Sequence, residues 1–277
     1  MLNLRDQLTS HVIATAERAL STTLVIRDPQ YGWGGKSVGF PEASGNNWVR
    51  IIARPATELH ERTWTGEECA SVLVGIPKPS LIRSFRWLDP ATQIVWRADE
   101  MTLARAPIVS KTPDAMAEPD LPAGWWAELR GALETLSRHK TERVAARQDL
   151  ITRRITQFTS TPIDAKIPEW RTSHGDLHWA NITAPQLNLL DWEGWGAGPR
   201  GLDAATLWAF SLGVPALANR IHSEFAADLD TRSGQLARLF MCIELLRMVD
   251  NFGDHRHLKE PLTYAATALV RDLSNSM

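Results

Sequence analysis

Apolar and polar residues follow different periods in the two parts of the chain. Near the N-terminus, Leu4 and Leu8 lie one helical turn apart in an amphipathic pattern, which predicts a first helix. Short runs rich in β-branched and aromatic residues follow, and each predicts a β-strand. These runs are 24–26, 38–40, 48–52, 81–87 and 93–98. Turn-forming residues at 31–37 and 44–47 separate the first three runs and predict an antiparallel meander, while the polar stretch 58–72 has the composition of a helix.

Prolines mark the boundary between the two parts. Several lie between residues 107 and 122, and proline removes a backbone donor and disfavours helix just before it. Beyond them the apolar spacing predicts helices. The predicted helices are 125–139, 143–158, 202–212, 215–229, 231–252 and 258–273. This order predicts an α+β protein, with an antiparallel sheet domain at residues 1–104 and a mainly helical domain at 105–277.

Composition and charge exclude some classes of partner but do not identify the function. The 277 residues are 44% hydrophobic and 22% charged, as in ordinary globular proteins. A net charge of -2 supplies no positive field for nucleic acid, so we expect no nucleic-acid partner. The apolar run 204–218 is too short to span a bilayer and contains Pro215, and charged Arg5 and Asp6 interrupt any leader-like stretch. We therefore expect a cytoplasmic protein with no membrane partner.

One segment of the helical part lacks helical periodicity and carries reactive groups. It is residues 173–181, SHGDLHWAN, and the apolar run 187–190 that follows it delivers Asp191. The segment supplies a carboxylate at Asp176, which can accept a hydroxyl proton, and an amide oxygen at Asn181. Together with the second carboxylate, these are the groups that phosphoryl transfer requires, because the metal that bridges the phosphates prefers hard oxygen ligands.

The spacing of this segment resembles a known family. His-x-Asp followed by Asn five residues after the Asp is also the spacing of the protein-kinase catalytic loop. Residues 174–181, HGDLHWAN, resemble the HGDxxxxN motif of aminoglycoside phosphotransferases and choline kinases. Residues 189–193, LLDWE, resemble the metal-binding strand of that family, and residues 198–203, GPRGLD, its following loop and helix start.

The resemblance implies a two-lobed, protein-kinase-like fold and an enzyme that moves the terminal phosphate of ATP or GTP to a hydroxyl of a small molecule. The acceptor would be an antibiotic, an amino alcohol or a sugar-like compound. Mg²⁺ is the implied metal cofactor. The partners would be the nucleotide and the acceptor, in a monomer or a homodimer.

The resemblance also assigns roles to individual residues. Asp176 would be the catalytic base, and Asn181 and Asp191 would hold Mg²⁺. Glu193 would assist a second metal or an ordered water. His174, grouped with the catalytic residues, and Asp203 would brace the loop.

The strand residues of the first domain that would bind the nucleotide phosphates depart from the kinase pattern. Kinases use a strand lysine paired with a helix glutamate, and residues 48–54 contain no lysine. Arg50 or Arg54 is the candidate replacement, because a guanidinium binds phosphate oxygens in a bidentate manner; Arg50 is preferred. Glu67 or Glu68 is its candidate partner.

Two further contacts to the nucleotide are expected from the order of elements. Lys36, in the glycine-rich turn, would face the phosphates together with backbone N–H groups. Backbone at residues 99–102, including Asp99, Glu100 and Met101, would bind the adenine.

Candidate acceptor-binding residues lie in the second domain. Trp179 and Trp195 would shape the acceptor pocket, with His178 beside them. Asp250 is an acidic residue on a late helix, as are Glu244 and Asp254, and it would recruit a cationic acceptor.

Two alternatives remain open from the sequence. His174, Asp176 and His178 alternate along the chain and could ligate a metal in a hydrolase; no further histidine cluster completes the ligand set, since His255 and His257 stand alone in the sequence. The missing strand lysine leaves room for a kinase-like protein that binds nucleotide without turnover.

Overall fold

The computed structural model describes residues 2–59 and 61–275. By their internal contacts these residues form two compact units. Unit 1 comprises Met1–Val72 and Lys78–Arg105, and unit 2 comprises Leu73–Pro77 and Ala106–Met277.

Unit 1 contains a five-stranded antiparallel sheet in the order β1-β2-β3-β5-β4. Its strands are β1 (Gln30–Tyr31), β2 (Ser37–Pro41), β3 (Asn47–Pro55), β4 (Leu81–Asp89) and β5 (Ile94–Thr102). Successive side chains of a strand point to opposite faces. Val49, Ile51 and Ala53 of β3 therefore share one face, where they join a buried apolar core. Helices α1 (Leu4–Gln7) and α2 (Ser10–Leu20) contribute Leu4 and Leu20 to that core.

Two elements of unit 1 differ from the sequence prediction. The run 24–26 forms no strand, and only Leu24 makes an isolated bridge, with Glu42. The predicted helix at 58–72 is divided into α3 (Glu61–Trp64), α4 (Gly66–Cys69) and a 3-10 turn (Ala70–Val72). The apolar residues of this stretch are too sparse to bury one face of a long helix, which is what stabilises most helices in proteins.

Unit 2 is mainly helical. Its helices are α5 (Ala123–Ser137), α6 (Gln148–Phe158), α7 (Leu202–Ala209), α8 (Pro215–Glu224), α9 (Ala226–Leu229), α10 (Arg232–Phe252) and α11 (Lys259–Ser274). A two-stranded sheet of β6 (Trp170–Ser173) and β7 (Gly196–Pro199) interrupts them. The predicted α+β class, with the antiparallel sheet in the first part and the helices in the second, is confirmed. Within 2–59 and 61–275, no helix is both long and apolar enough to cross a membrane.

Candidate active site

The HGD loop, which we define as residues 174–181, leaves β6 through a glycine that the backbone requires. Gly175 has a φ of +82°, and a Cβ at this position would lie 2.7 Å from the carbonyl oxygen of Gly194. Any other residue would therefore combine a left-handed backbone with a collision against backbone atoms. The loop ends in a 3-10 turn, Trp179–Asn181.

Asp203 holds the start of this loop. Its carboxylate accepts hydrogen bonds from the backbone N–H of His174 at 2.8 Å and of Gly175 at 2.9 Å. Asp203 is buried in the first turn of α7. Burial raises the pKa of Asp203 to about 6, and the two N–H donors act in the opposite direction because they favour the ionised form. The contacts make Asp203 a positioning residue.

His174 is also a positioning residue, although the sequence placed it among the catalytic residues. Its side chain is fully buried, so it cannot touch a substrate, and this assignment is corrected. Its Nε2 donates to the carbonyl oxygen of Leu190 at 2.9 Å, and its ring packs edge-on against Trp192. His174 therefore ties the HGD loop to the segment that carries Asp191. Burial lowers the pKa of His174 to about 4.

His174 should make the folded protein sensitive to acid. Because the pKa falls from 6.5 in the unfolded chain to about 4 in the fold, stability is present above pH 6.5 and is lost as the pH falls toward 4. Between pH 7 and pH 5 we expect the wild type to lose about 2 kcal/mol more unfolding free energy than His174→Gln. Urea unfolding of both proteins at the two pH values measures this difference. Equal losses in the two proteins would contradict it.

Asp176 and Asn181 are joined within the loop. The Nδ2 group of Asn181 donates to the backbone oxygen of Asp176 at 3.0 Å and lies 3.3 Å from Nε2 of His178. The amide nitrogen thus faces the loop, and Oδ1 is the atom of Asn181 left to bind a cation. The side chain of Asp176 is 50% exposed and lies 3.7 Å from Nε2 of His178. Asp176 can therefore be reached by a molecule from outside.

Asp191 follows a residue that is bonded to the HGD loop. The N–H of Leu190 donates to the backbone oxygen of Asn181 at 2.8 Å, which places Asp191 next along the chain from that contact. Asp191 itself has a left-handed backbone, with a φ of 63°, and begins the 3-10 turn Trp192–Gly194. Its negative charge opposes the effect of burial on His178, whose pKa is lowered to about 4.

The donor set fits Mg²⁺. The amide oxygen of Asn181 and the carboxylate of Asp191 are hard oxygen ligands, which is the type that Mg²⁺ prefers. Glu193 lies in the turn that Asp191 begins, and its backbone oxygen accepts from Nη2 of Arg143 at 3.2 Å. A histidine-rich metal centre is not supported, because no group of three or more His, Cys, Asp or Glu residues within the described part of the chain is arranged to hold a metal.

The two tryptophans predicted to shape the acceptor pocket are buried in the interior, which does not favour that role. Trp179 is fully buried, stacks on Trp125 and donates its indole N–H to Oγ of Ser211 at 2.8 Å. Trp195 is buried, and the guanidinium of Arg143 covers its ring. Indoles bury a large apolar area, which explains their place in the core.

The late-helix acids are paired on the surface. Asp250 forms an exposed ion pair with Lys259 at 2.6 Å, and Glu244 pairs with Arg154 at 2.5 Å. The charge of Asp250 is thus already balanced, which does not favour its predicted role in recruiting a cationic acceptor.

Unit 1 pairs one of the two candidate arginines with one of the two candidate glutamates. Nη1 of Arg50 lies 3.3 Å from Oε1 of Glu67, and each side chain is only 14% exposed. Arg54 instead donates to the backbone oxygens of Lys36 and Ala53. Glu68 forms an exposed pair with Arg86. Arg50 and Glu67 are therefore the partly buried pair, whereas the predicted role of Lys36 stays a prediction.

The structure does not favour the predicted adenine contact at residues 99–102. Asp99, Glu100 and Met101 lie inside β5, which pairs with β3 on one side and β4 on the other, so their backbone groups are already used in the sheet. Their acidic side chains are used as well: Asp99 accepts from Arg97 at 2.6 Å, and Glu100 accepts from Asn47 at 2.7 Å. The predicted strand 93–98 was too short, because β5 continues to Thr102.

Sequence reasoning missed a polar cluster in unit 2. His255 and His257, which stand alone in the sequence, both contact the buried carboxylate of Asp114, each at 3.0 Å. No local pattern connects Asp114 with the two histidines, because they come from distant segments. We refer to Asp114, His255 and His257 below as the Asp114 cluster.

Comparison with known proteins gives no match to a described protein family and no match to a curated protein sequence. Solved structures do match. A thermostable mutant of the aminoglycoside phosphotransferase APH(4)-Ia, in a complex with ADP and hygromycin B, superimposes with a TM-score of 0.63 at 10% identity, covering 95% of this chain and 98% of that one.

Two other small-molecule kinases also match. Amicoumacin kinase hAmiN, in complex with AMP-PNP and Ca²⁺, gives a TM-score of 0.59 at 11% identity and covers 98% of this chain and 95% of that one. A microcompartment-associated aminopropanol kinase gives 0.53 at 15% identity, with 95% and 96% covered. The chain therefore has the fold of these kinases.

Proposed function

We propose that this chain, which has the fold of aminoglycoside phosphotransferases and related kinases, transfers the terminal phosphate of ATP or GTP to a hydroxyl of a small molecule. The observation that carries the proposal is a pair of hydrogen bonds that brings Asp176, Asn181 and Asp191 into one region. Asn181 donates to the backbone oxygen of Asp176, and Leu190, the residue before Asp191, donates to the backbone oxygen of Asn181. A proton acceptor and two metal-binding oxygens thereby belong to one small region.

Asp176 is the proposed base. Its backbone is held by Asn181, and the loop behind it is held by Asp203 and His174. The half-exposed carboxylate can accept the proton of an acceptor hydroxyl as that oxygen attacks the phosphorus atom, and the P–O bond to the leaving nucleoside diphosphate breaks. Neutral His178, whose pKa is about 4, adds no positive charge that would weaken the base.

Asn181 and Asp191 are the proposed Mg²⁺ ligands, with Glu193 as the next candidate. When bound, Mg²⁺ would neutralise phosphate charge and orient the terminal phosphate. The left-handed backbone of Asp191 is consistent with a functional position, because such conformations are unfavourable for residues other than glycine and concentrate at active sites.

The acceptor is proposed to be a small hydroxyl-bearing compound. The structural matches were solved or named with small molecules: hygromycin B for one, amicoumacin for another and aminopropanol for the third. An antibiotic, an amino alcohol or a sugar-like compound are the classes we would test first.

The experiment that tests the function is acceptor-dependent formation of ADP or GDP in the presence of Mg²⁺. The panel contains aminoglycosides, amicoumacin, amino alcohols and simple sugars, each with ATP and with GTP. We expect at least one acceptor to stimulate nucleotide turnover and to gain a phosphate detectable by mass spectrometry. Nucleotide binding without transfer to any member would favour the kinase-like protein that only binds nucleotide.

Arg50, paired with Glu67, is proposed to bind the nucleotide phosphates in place of the lysine of the kinase lysine–glutamate pair. Arg50→Ala should raise the KM for nucleotide by about tenfold or more, because a charge-assisted hydrogen bond is lost. Arg50→Lys should recover only part of the affinity, since an ammonium lacks the bidentate geometry of a guanidinium. Steady-state kinetics with varied nucleotide measures both.

Arg86→Ala is the matched control for this prediction. Arg86 forms the same type of ion pair, with Glu68, but both side chains are exposed, and exposed pairs contribute little. Equal KM values for Arg50→Ala and Arg86→Ala, in proteins with the same thermal unfolding temperature, would refute the role of Arg50.

A further inference from the structure

Arg97 is a buried arginine on an inner strand of the sheet of unit 1. It lies in β5, which pairs with β3 on one side and β4 on the other. Its neighbours Trp96 and Ala98 belong to the apolar core on one face of the sheet. Because successive side chains of a strand alternate, Arg97 points to the opposite face. A charged group in the interior is costly unless it is paired, so its contacts need an explanation.

The charge of Arg97 is balanced, but its hydrogen bonds are incomplete. Nε donates to Oδ1 of Asp99 at 2.6 Å, and each of the two side chains is 1% exposed. Nη2 is buried and has no hydrogen-bond partner among the described residues. Apolar residues of similar volume often replace a buried ion pair with no loss of stability. Charge balance and packing therefore do not explain why this position holds an arginine.

The remaining nitrogen of Arg97 makes a contact that an apolar residue could not make. Nη1 donates to the backbone oxygen of Trp64. Trp64 is the last residue of α3, and α4 begins two residues later, at Gly66. Arg97 therefore ties β5 to the chain between these two short helices.

The tethered segment carries Glu67, the partner of Arg50. Glu67 lies in the first turn of α4, three residues after Trp64. A helix of four residues is too short to be stable by itself, so the position of α4 depends on contacts with its surroundings. The buried hydrogen bond from Arg97 to Trp64 is such a contact, and it acts close to Glu67.

The other end of the ion pair lies opposite Arg50 in the sheet. Arg50 and Asp99 are direct Cα partners in the pairing of β3 with β5, and residues paired in this way share a face, with Cβ atoms about 4.5–5.5 Å apart. The contacts form a closed ring. From Arg50 the salt bridge leads to Glu67, and the chain leads from Glu67 back to Trp64. From Trp64 the hydrogen bonds of Arg97 lead to Asp99.

We propose that Arg97 is a positioning residue, which holds Glu67 against Arg50 and thereby orients the guanidinium that binds the nucleotide phosphates. This inference rests on the proposed phosphotransferase function, since it assigns Arg97 to the phosphate-binding pair of that reaction. Arg97 is buried, so its effect on nucleotide binding passes through Arg50.

Arg97→Lys separates the charge of this residue from its reach. An ammonium can remain beside Asp99, but it is a single point and does not span to Trp64 as the planar guanidinium does. A second variant combines Arg97→Met with Asp99→Asn, which leaves no unpaired charge in the interior. The matched control is Arg83→Lys, because Arg83 also pairs with a buried acid of β5, Glu100, but on the other face of the strand.

The first measurement is hydrogen–deuterium exchange of the nucleotide-free protein, followed by mass spectrometry. We expect residues 65–72 to exchange about tenfold faster in Arg97→Lys and in the double variant, because a hydrogen bond from a charged group that opposes local opening is lost. The N–H of Cys69, which donates to the backbone oxygen of Thr65 at 2.9 Å, belongs to this segment. Exchange in α10 should not change, and Arg83→Lys should change neither segment.

The second measurement is the Kd for Mg-bound ATP and GTP in a double-mutant cycle with Arg50→Ala. Arg97→Lys should raise the Kd of the nucleotide that binds more tightly by about tenfold when Arg50 is present, and by less than about twofold when Arg50 is alanine. A residue that only stabilises the fold would weaken binding equally in both backgrounds. If transfer occurs, the KM for nucleotide should rise in Arg97→Lys while kcat stays nearly the same.

Two results would overturn the role of Arg97: unchanged exchange of residues 65–72 in both Arg97 variants, or an equal rise of the Kd with and without Arg50. If Arg97→Lys also exchanges faster in α10, its fold is disturbed, and the double variant then decides both measurements. A failure of the proposed function looks different, because the wild type would then bind neither nucleotide, and the inference would fall with it.

Discussion

Asp176→Asn is expected to lower acceptor-dependent nucleotide turnover by about 10²- to 10⁴-fold, the usual contribution of a general base. An amide has nearly the shape of the carboxylate but cannot accept the proton of the acceptor hydroxyl. The fold should survive, because Asn181 donates to the backbone oxygen of residue 176 and not to its side chain. The rate at saturating substrates and the affinity for nucleotide are the quantities to measure.

Asp149→Asn is the control for this prediction. Asp149 is an exposed acid in an ion pair with Arg147, so its neutralisation should change turnover by less than about twofold. Retention of most activity in Asp176→Asn would show that another group takes the proton, and the assignment of the base would then fail.

The HGD loop could be anticipated from sequence because its geometry is set within a few residues and by one long-range acid. Gly175 is required by a positive φ and by the closeness of Gly194. Asp203 reaches the loop through backbone N–H groups, which are present whatever the neighbouring side chains are. The apolar run before Asp191 pairs with the chain at the end of the loop, through backbone hydrogen bonds from Leu190 to Asn181 and from Thr183 to Asn188.

Features that depend on tertiary packing could not be predicted from the sequence in the same way. The burial of Trp179 is decided by contacts with Trp125 and Ser211, which lie far from it in sequence. The Asp114 cluster joins distant segments, and a carboxylate in a proline-rich stretch gives no signal that two histidines will meet it. A strand end is equally hard to place, as the extension of β5 through residues 99–102 shows.

Asp191→Asn is expected to lower turnover by more than about 100-fold, because the loss of even an outer partner of a metal ligand costs about 10- to 100-fold. Asparagine is the suitable substitution here, since Asp191 has a φ of 63° and asparagine tolerates the left-handed region. Alanine would add about 1–2 kcal/mol of backbone strain and confuse stability with metal binding. Turnover measured across a range of Mg²⁺ concentrations should show a higher Mg²⁺ requirement.

The Mg²⁺ dependence distinguishes a metal ligand from a residue that only shapes the turn. A lost ligand weakens metal binding, so raising the Mg²⁺ concentration should restore part of the activity of Asp191→Asn, whereas no metal concentration restores the missing base of Asp176→Asn. Glu193→Gln, two residues further along the same turn, should shift the Mg²⁺ requirement less if Asn181 and Asp191 are the main ligands. An Asp191→Asn protein with the wild-type Mg²⁺ requirement and reduced thermal stability would assign Asp191 to the fold of the turn and not to the metal.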